Sequence, residues 1–293
     1  MTESPVIYTV GDVTVTRVLE KLFDNFTPGY LLPEWDPAAA REHQECMAPS
    51  WSNGTHEHVV LSSHSWVIKS RRHTMLVDTG IGNDKERKLP AFDHLHEPYL
   101  ERLAAVGVTP EAVDYVLLTH LHTDHVGWNT RFLNGCWVPT FPNAKYVFSK
   151  VEYEYFSGPG GRDRPNFALY EDSVLPIVEA GQAEMIESDG GEFIDGVVFS
   201  PTPGHSVGHM SISLRSRGEE AFFGGDVMHL PIQIYRPDWS SVFSAFPERG
   251  RLSRLWALEH AYQRHAIFFS SHFPGSSAGL VERHNGQFSW RWL

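Results

Sequence analysis

The sequence predicts an α/β fold arranged as a four-layer αββα sandwich. Three observations predict it. Short apolar, partly β-branched runs recur along the chain, segments of helical spacing interrupt them, and the two halves carry the same alternation. No repeat, low-complexity tract or composition break marks a linker. The expected organisation is therefore one domain over residues 1–293, with 24–57 an extended loop insertion near the candidate site described below.

The elements are expected in this order. Residues 6–10 and 13–19, joined by Gly11-Asp12, read as an opening hairpin. Residues 24–57, with Pro28, Gly29, Pro33, Pro37 and Pro49, form a long irregular stretch of a length that usually has a function. Strands follow at 58–69 and 74–78. Residues 97–107 have helical spacing, with Gly107 as the stop. Residues 114–119 are a buried strand, and 128–144 are rich in Trp, Phe and Pro. A strand at 145–149 precedes a helical region, 150–180, around a loose Gly158-Pro159-Gly160-Gly161 turn. Strands return at 183–187, 192–200, 209–215 and 220–224. A helix covers 252–264, a strand runs into His272, and a hairpin at 278–292 closes the chain.

Composition narrows the function. The chain is 41% hydrophobic and carries a formal net charge of −12, without a Lys/Arg run. Such a surface is a poor partner for phosphate backbones, so nucleic acid is not an expected partner. No apolar run reaches the ~20 residues of a membrane span. Residues 1–5 do not begin a basic-then-apolar leader. Cys46 and Cys136 are the only cysteines. Two cysteines without a leader are expected to stay reduced, in the cytoplasm.

The chemistry concentrates in His120-Leu121-His122-Thr123-Asp124-His125, with three imidazoles and one carboxylate in six residues, delivered by an apolar strand. A His-x-His pair on extended backbone points both rings to one side. Asp124 and His125 lie on the following turn, able to face a second ion. Three more apolar runs end in ligand types: 199–205 in Pro203-Gly204-His205, 220–226 in Gly225-Asp226, and 266–272 in His272 before Pro274-Gly275. Together they make seven candidate ligands, enough for two ions sharing one bridging carboxylate, and borderline metals favour imidazole with carboxylate.

This set and its order resemble the metallo-β-lactamase superfamily, in its lactonase and organophosphate- and aryl-ester-hydrolase-like branch. The resemblance runs from about Val59 to His272 and implies the metallo-β-lactamase fold. It implies that His120, His122 and His205 hold one metal, that Asp124, His125 and His272 hold a second, and that Asp226 bridges them. Asp78, in Val77-Asp78-Thr79-Gly80, would support the site from behind. The expected cofactors are two divalent ions, zinc first, with iron, manganese or cobalt left open. Neither cysteine falls in a ligand motif, unlike in β-lactamases proper. The implied function is opening of a lactone, or cleavage of a related ester, by attack of a metal-bridging hydroxide, with a quorum-quenching lactonase favoured. The alternatives are an organophosphate or aryl-ester hydrolase or a hydrolytic dehalogenase on the same site, and, from another class, an iron-dependent persulfide dioxygenase.

Two residues are candidate catalytic groups. Asp124 is a ligand that also orients the hydroxide or passes a proton to the leaving group. His229 stands where the acyl-homoserine lactonase branch has a tyrosine, and reads as an oxyanion or proton donor. A pocket for the small-molecule ester or lactone is expected from Phe26, Tyr30, Trp35, Trp128, Trp137, Phe141 and Tyr235, an aromatic mouth suited to an acyl chain or a ring. The same aromatics suit core or subunit packing, so a homodimer stays open.

Overall fold

The computed structural model describes residues 6–51, 56–159 and 167–293. The predicted leaderless 1–5 segment and Gly160-Gly161 of the expected turn lie outside them. Among the described residues no helix is long and apolar enough to cross a membrane. The chain divides into two compact units, residues 1–21 with 63–188, and residues 22–62 with 189–293.

The first unit is organised by a seven-stranded sheet of order β1-β2-β3-β4-β5-β8-β9. β1 is Ile7–Val10, β2 Val13–Phe26, β3 Val59–Lys69 and β4 Thr74–Val77. β5 is Tyr115–Leu117, β8 Lys145–Ser149 and β9 Ala183–Ile186. β4, β5, β8 and β9 run parallel to one another, while β3 pairs antiparallel with β4, and β4 and β5 are almost wholly buried. That is why they read as unbroken apolar runs rather than alternating ones. Val67, Leu76, Val116, Tyr146 and Phe148 of this sheet pack with Tyr99, Leu103, Phe156 and Ile177 of the helices Tyr99–Ala105, Lys150–Ser157 and Leu175–Glu179.

The second unit repeats the scheme with the order β10-β11-β12-β13-β14-β15-β16. Its strands are β10 (Gly191–Ile194), β11 (Val197–Pro201), β12 (Met210–Ser216), β13 (Glu219–Gly225), β14 (Ile267–Ser270), β15 (Ala278–His284) and β16 (Gln287–Trp292). The helix Pro247–Arg264 buries Ala257, Leu258 and Ala261 against Phe222, Phe268 and Val281. Sheet-with-helix halves of this kind are what the αββα expectation requires of each half.

Four expectations change. Residues 192–200 are two strands, because Asp195 (φ 41°) and Gly196 (φ 82°) turn the chain there. Asp-Gly is the dipeptide such a tight hairpin turn demands. The long helix starts at Pro247, not 252, since proline at the first position has its φ preset for a helix. The 128–144 region holds the hairpin β6 (Thr130–Leu133) and β7 (Cys136–Pro139), turned at Asn134-Gly135. The 24–57 stretch is not irregular throughout. β2 runs on to Phe26, and helical turns occupy Pro28–Leu31, Pro37–Glu42 and Gln44–Met47. Thr27 and Asp36 cap the first two, accepting from Tyr30 N (3.3 Å) and Ala38 N (2.8 Å), each ahead of a proline.

One ion-pair cluster joins the long helix to its sheet. Glu220 of β13 accepts from His260 Nε2 at 2.6 Å and Ser213 Oγ at 2.7 Å, with Arg215 Nε at 3.2 Å. Burial pushes its carboxyl up, but these partners overcome that and hold it at about 2 against an ordinary 4.5. The depressed value places its stabilising contribution above pH 4.5, to be lost as pH falls towards 2. Glu220→Gln is therefore expected to flatten the stability–pH curve over that window, measured by urea unfolding at stepped pH. An unchanged curve would refute the assignment.

Candidate metal centre

In the first unit the histidine motif leaves β5 through Leu118 and Thr119. The rings of His120 and His122 stand 4.5 Å apart, and those of His120 and His125 4.1 Å apart. Asp124 and His125 lie on a single helical turn, Thr123–Val126, which gives the expected turn its form. Asp78 follows β4, the parallel neighbour of β5, in the left-handed region at φ 55°. Its carboxylate accepts from Thr119 N (2.8 Å), Thr119 Oγ1 (2.9 Å) and His125 Nδ1 (2.8 Å). An imidazole that gives its Nδ1 proton to a carboxylate keeps Nε2 as its coordinating nitrogen.

Two further carboxylates hold the loops that carry these groups, and neither stood out in the sequence. Glu20 is buried on β2 and receives four donors: Ser63 Oγ (2.7 Å), Ile81 N (2.7 Å), Gly82 N (2.9 Å) and Trp128 Nε1 (2.7 Å). Burial pushes its carboxyl upward against the pull of these bonds. Glu152 accepts from Leu121 N at 3.1 Å, the amide between the paired histidines. Gly127 closes the arrangement, since a Cβ there would lie 1.8 Å from Ile81 O.

In the second unit Asp226 is the centre of a buried imidazole cluster. Its Oδ2 lies 3.1 Å from His205 Nε2 and 3.3 Å from His229 Nε2, and its Oδ1 lies 2.9 Å from His272 Nε2. The ligand atoms of His205, Asp226 and His229 all fall within 4.8 Å of one another. His272 Nδ1 bonds Ser62 O at 3.1 Å, again reserving Nε2. His229 stacks on His272 at 5.2 Å, and its backbone N donates to Gln233 Oε1 at 2.6 Å. The chain after Asp226 is fixed by buried Arg254, which donates to Val227 O and Pro237 O at 2.7 Å each. A carboxylate among imidazoles that present Nε2, with no cysteine, is a donor set suited to zinc or iron.

The aromatic candidates divide. Phe26 and Tyr30 stack at 6.0 Å, and both meet Phe243 edge-on, at 6.0 and 6.4 Å. Phe243 in turn lies 6.2 Å from the His229 ring, a residue the sequence did not single out because 236–246 has no periodicity. Trp35 packs between Trp51 and Trp239, and Tyr235 stacks on His43 at 3.9 Å. Trp128 and Phe141 are corrections. Both belong to the first unit's buried core, where Trp128 stacks on Tyr99 and Phe141 packs on Tyr146. Trp137 covers the buried Lys85 ammonium at 3.7 Å.

Comparison with known proteins bears on the family and the fold. The family model described as the metallo-beta-lactamase superfamily matches residues 58–266. The N-acyl homoserine lactonase AttM of Rhizobium johnstonii is 30% identical over 126 residues, 41% of this chain and 43% of that protein. The N-acyl homoserine lactonase of Bacillus cereus is 31% identical over 114 residues, 39% and 38% of the two chains. The matched stretch thus spans about two fifths of these relatives' length. Among solved structures, the hydrolase AbOPH superposes with a TM-score of 0.80 at 24% identity, over 99% of this chain and 97% of that one. AidC, a dizinc quorum-quenching lactonase, superposes with a TM-score of 0.77 at 18% identity, over 98% and 96%. At such identities the likeness is one of fold. With more than half of its length matched by the family model, the chain belongs to the metallo-beta-lactamase superfamily.

Proposed function

We propose that this chain is a dinuclear metal-dependent hydrolase that opens a lactone or cleaves a related ester. His120, His122 and His205 would hold one ion, Asp124, His125 and His272 the other, and Asp226 would bridge them. The observation that carries the reading is the anchoring of buried imidazoles: His125 on Asp78 and His272 on Ser62 both keep Nε2 for a metal. When bound, such ions lower the pKa of a water from ~15.7 to around 7 and polarise an ester carbonyl.

The chain's own residues would do the rest. Asp124 orients the attacking water and accepts its proton, then returns it to the leaving oxygen. His229, beside Asp226, donates a hydrogen bond to the carbonyl oxygen as charge builds there. Phe243, Phe26 and Tyr30 offer an apolar wall next to His229 for the acyl part of a small-molecule substrate. An imidazole at 229 equally suits an aryl-ester or organophosphate substrate, whose leaving oxygen it can protonate. The two units together would form one metallo-hydrolase domain.

The test is metal analysis of the purified protein together with turnover on lactones, aryl esters and organophosphates. Asp226→Ala is expected to abolish turnover and to release metal, as loss of a ligand exceeds the 10–100-fold cost of losing an outer partner. Wild-type protein that carries metal and leaves the whole panel intact would sink the hydrolase reading.

A further inference from the structure

We infer that His209 is a positioning residue that aims the Asp226 carboxylate. It does so as a neutral imidazole protonated on Nδ1, through a one-way chain of hydrogen bonds. The inference rests on the reading of Asp226 as a metal ligand and assigns a role to a histidine outside that ligand set.

The argument starts from the end of β13. The β12–β13 ladder reaches Ile212↔Phe223, and the pairing of β13 with β14 shifts register between Phe223 and Gly225. Gly225 then takes φ 58°. An irregularity of this kind re-aims the residue beyond it, and it deprives nearby backbone groups of ladder partners. Two backbone groups at this irregularity, Gly224 O and Asp226 N, take side-chain partners. Asp226 N donates to His209 Nε2 at 2.9 Å, and Ser211 Oγ donates to Gly224 O at 3.1 Å. Between them lies Thr202 Oγ1, 2.9 Å from His209 Nδ1 and 3.0 Å from Ser211 Oγ.

The directions of these bonds leave no choice. A backbone N–H can only donate, so His209 Nε2 accepts and carries no proton. Nδ1 then bears the proton and donates to Thr202. The Ser211 proton is committed to Gly224 O, so Thr202 donates to Ser211. His209 and Ser211 are wholly buried and Thr202 nearly so. Thr202 N also donates to His209 O at 2.9 Å, which ties the relay's two ends of the Pro203–Gly208 turn, the turn that carries His205. One imidazole thus fixes the base of the His205 turn and the backbone of Asp226 together.

The experiment uses full-length protein stripped of metal. Zinc affinity is read by competition with a chromogenic chelator, and the His209 tautomer from imidazole ¹⁵N shifts. The expected result is the Nδ1–H tautomer in wild type and a 10–100-fold loss of zinc affinity in His209→Ala. His209→Gln should recover part of that loss, because its amide oxygen can accept from Asp226 N while its amide NH₂ donates to Thr202. Thr202→Val, which removes only the middle of the relay, should weaken zinc by about tenfold, the low end of the range. If His209→Ala does not fold, the Gln and Val variants and the spectrum still decide. An Nε2–H tautomer would overturn the inference. So would zinc affinity unchanged in folded variants whose thermal midpoint alone falls, since that is the behaviour of a merely structural histidine. Wild-type protein that binds no zinc would instead sink the metal reading, and the tautomer spectrum would still decide the relay.

Discussion

Glu20→Ala lowers the unfolding free energy by about 2–5 kcal/mol, the cost of leaving several buried neutral donors without their acceptor. This is a large part of the ~5–15 kcal/mol that holds a typical domain together. Four donors converge on this carboxylate, from Ser63, Ile81, Gly82 and Trp128. Each donor left buried without an acceptor costs about 1–3 kcal/mol, and water entering the space recovers part of the sum. The space itself is tight: a Cβ on Gly80 would lie 2.4 Å from Glu20 Oε2, so the loop is wrapped directly on the carboxylate. Glu20→Gln should cost less, but not nothing, because its NH₂ would face donors. Urea unfolding followed by tryptophan fluorescence measures both. A loss under about 1 kcal/mol in the alanine variant would show that the loop finds other partners.

Asp78→Asn leaves the shape of the site nearly unchanged and still costs 10–100-fold in metal affinity, with turnover falling in step. The carboxylate serves two customers at once, Thr119 on Oδ1 and Oδ2 and His125 Nδ1 on Oδ2. An amide has only one accepting atom. If its oxygen stays with the Thr119 backbone, its NH₂ meets His125 Nδ1 and favours the tautomer with the proton on Nε2. That proton occupies the lone pair a metal needs, the same loss that replacing a supporting aspartate by asparagine causes in hydrolase triads. Chelator competition reads the affinity, and a urea melt checks that folding survives. Full metal affinity in a folded Asp78→Asn protein would show that the carboxylate does not set the tautomer.

The strands that lead to the candidate ligands at 120–125, 226 and 272 were legible because each is largely buried on both sides and ends abruptly in polar residues. The pattern of 114–125, or of 220–226, says where the apolar run stops and which group follows it. The turn at Asp195-Gly196 was equally legible in its dipeptide but was masked by the apolar residues on either side. What the sequence does not carry is partnership over distance. Glu20 meets Ile81 across 61 positions, and nothing in its own strand separates it from a solvent-facing glutamate. His209 looks like one more polar residue before a strand until the irregularity in β13 creates the groups it satisfies. Trp128 and Phe141 were misread because aromatic residues near a site look the same in sequence whether they face a substrate or a core. Phe243 was missed because its place depends on loop bonds rather than on periodicity.

Those loop bonds couple two traits that are usually treated as separate. Val242 N donates to Leu31 O, while Ala245 N and Phe246 N donate to His205 O and Gly204 O, at 2.8–2.9 Å. The segment that presents Phe243 is thus stitched on one side to the turn bearing Tyr30 and on the other to the turn bearing His205. Under the proposed function, adaptation to a bulkier or slimmer acyl group by shifting this segment would drag the backbone of a proposed ligand with it. On that proposal, variants selected for a new substrate at this wall would carry altered metal retention as a correlated trait, whereas changes of side chain alone, at Tyr30 or Phe243, would leave the stitching intact and free the substrate range to drift.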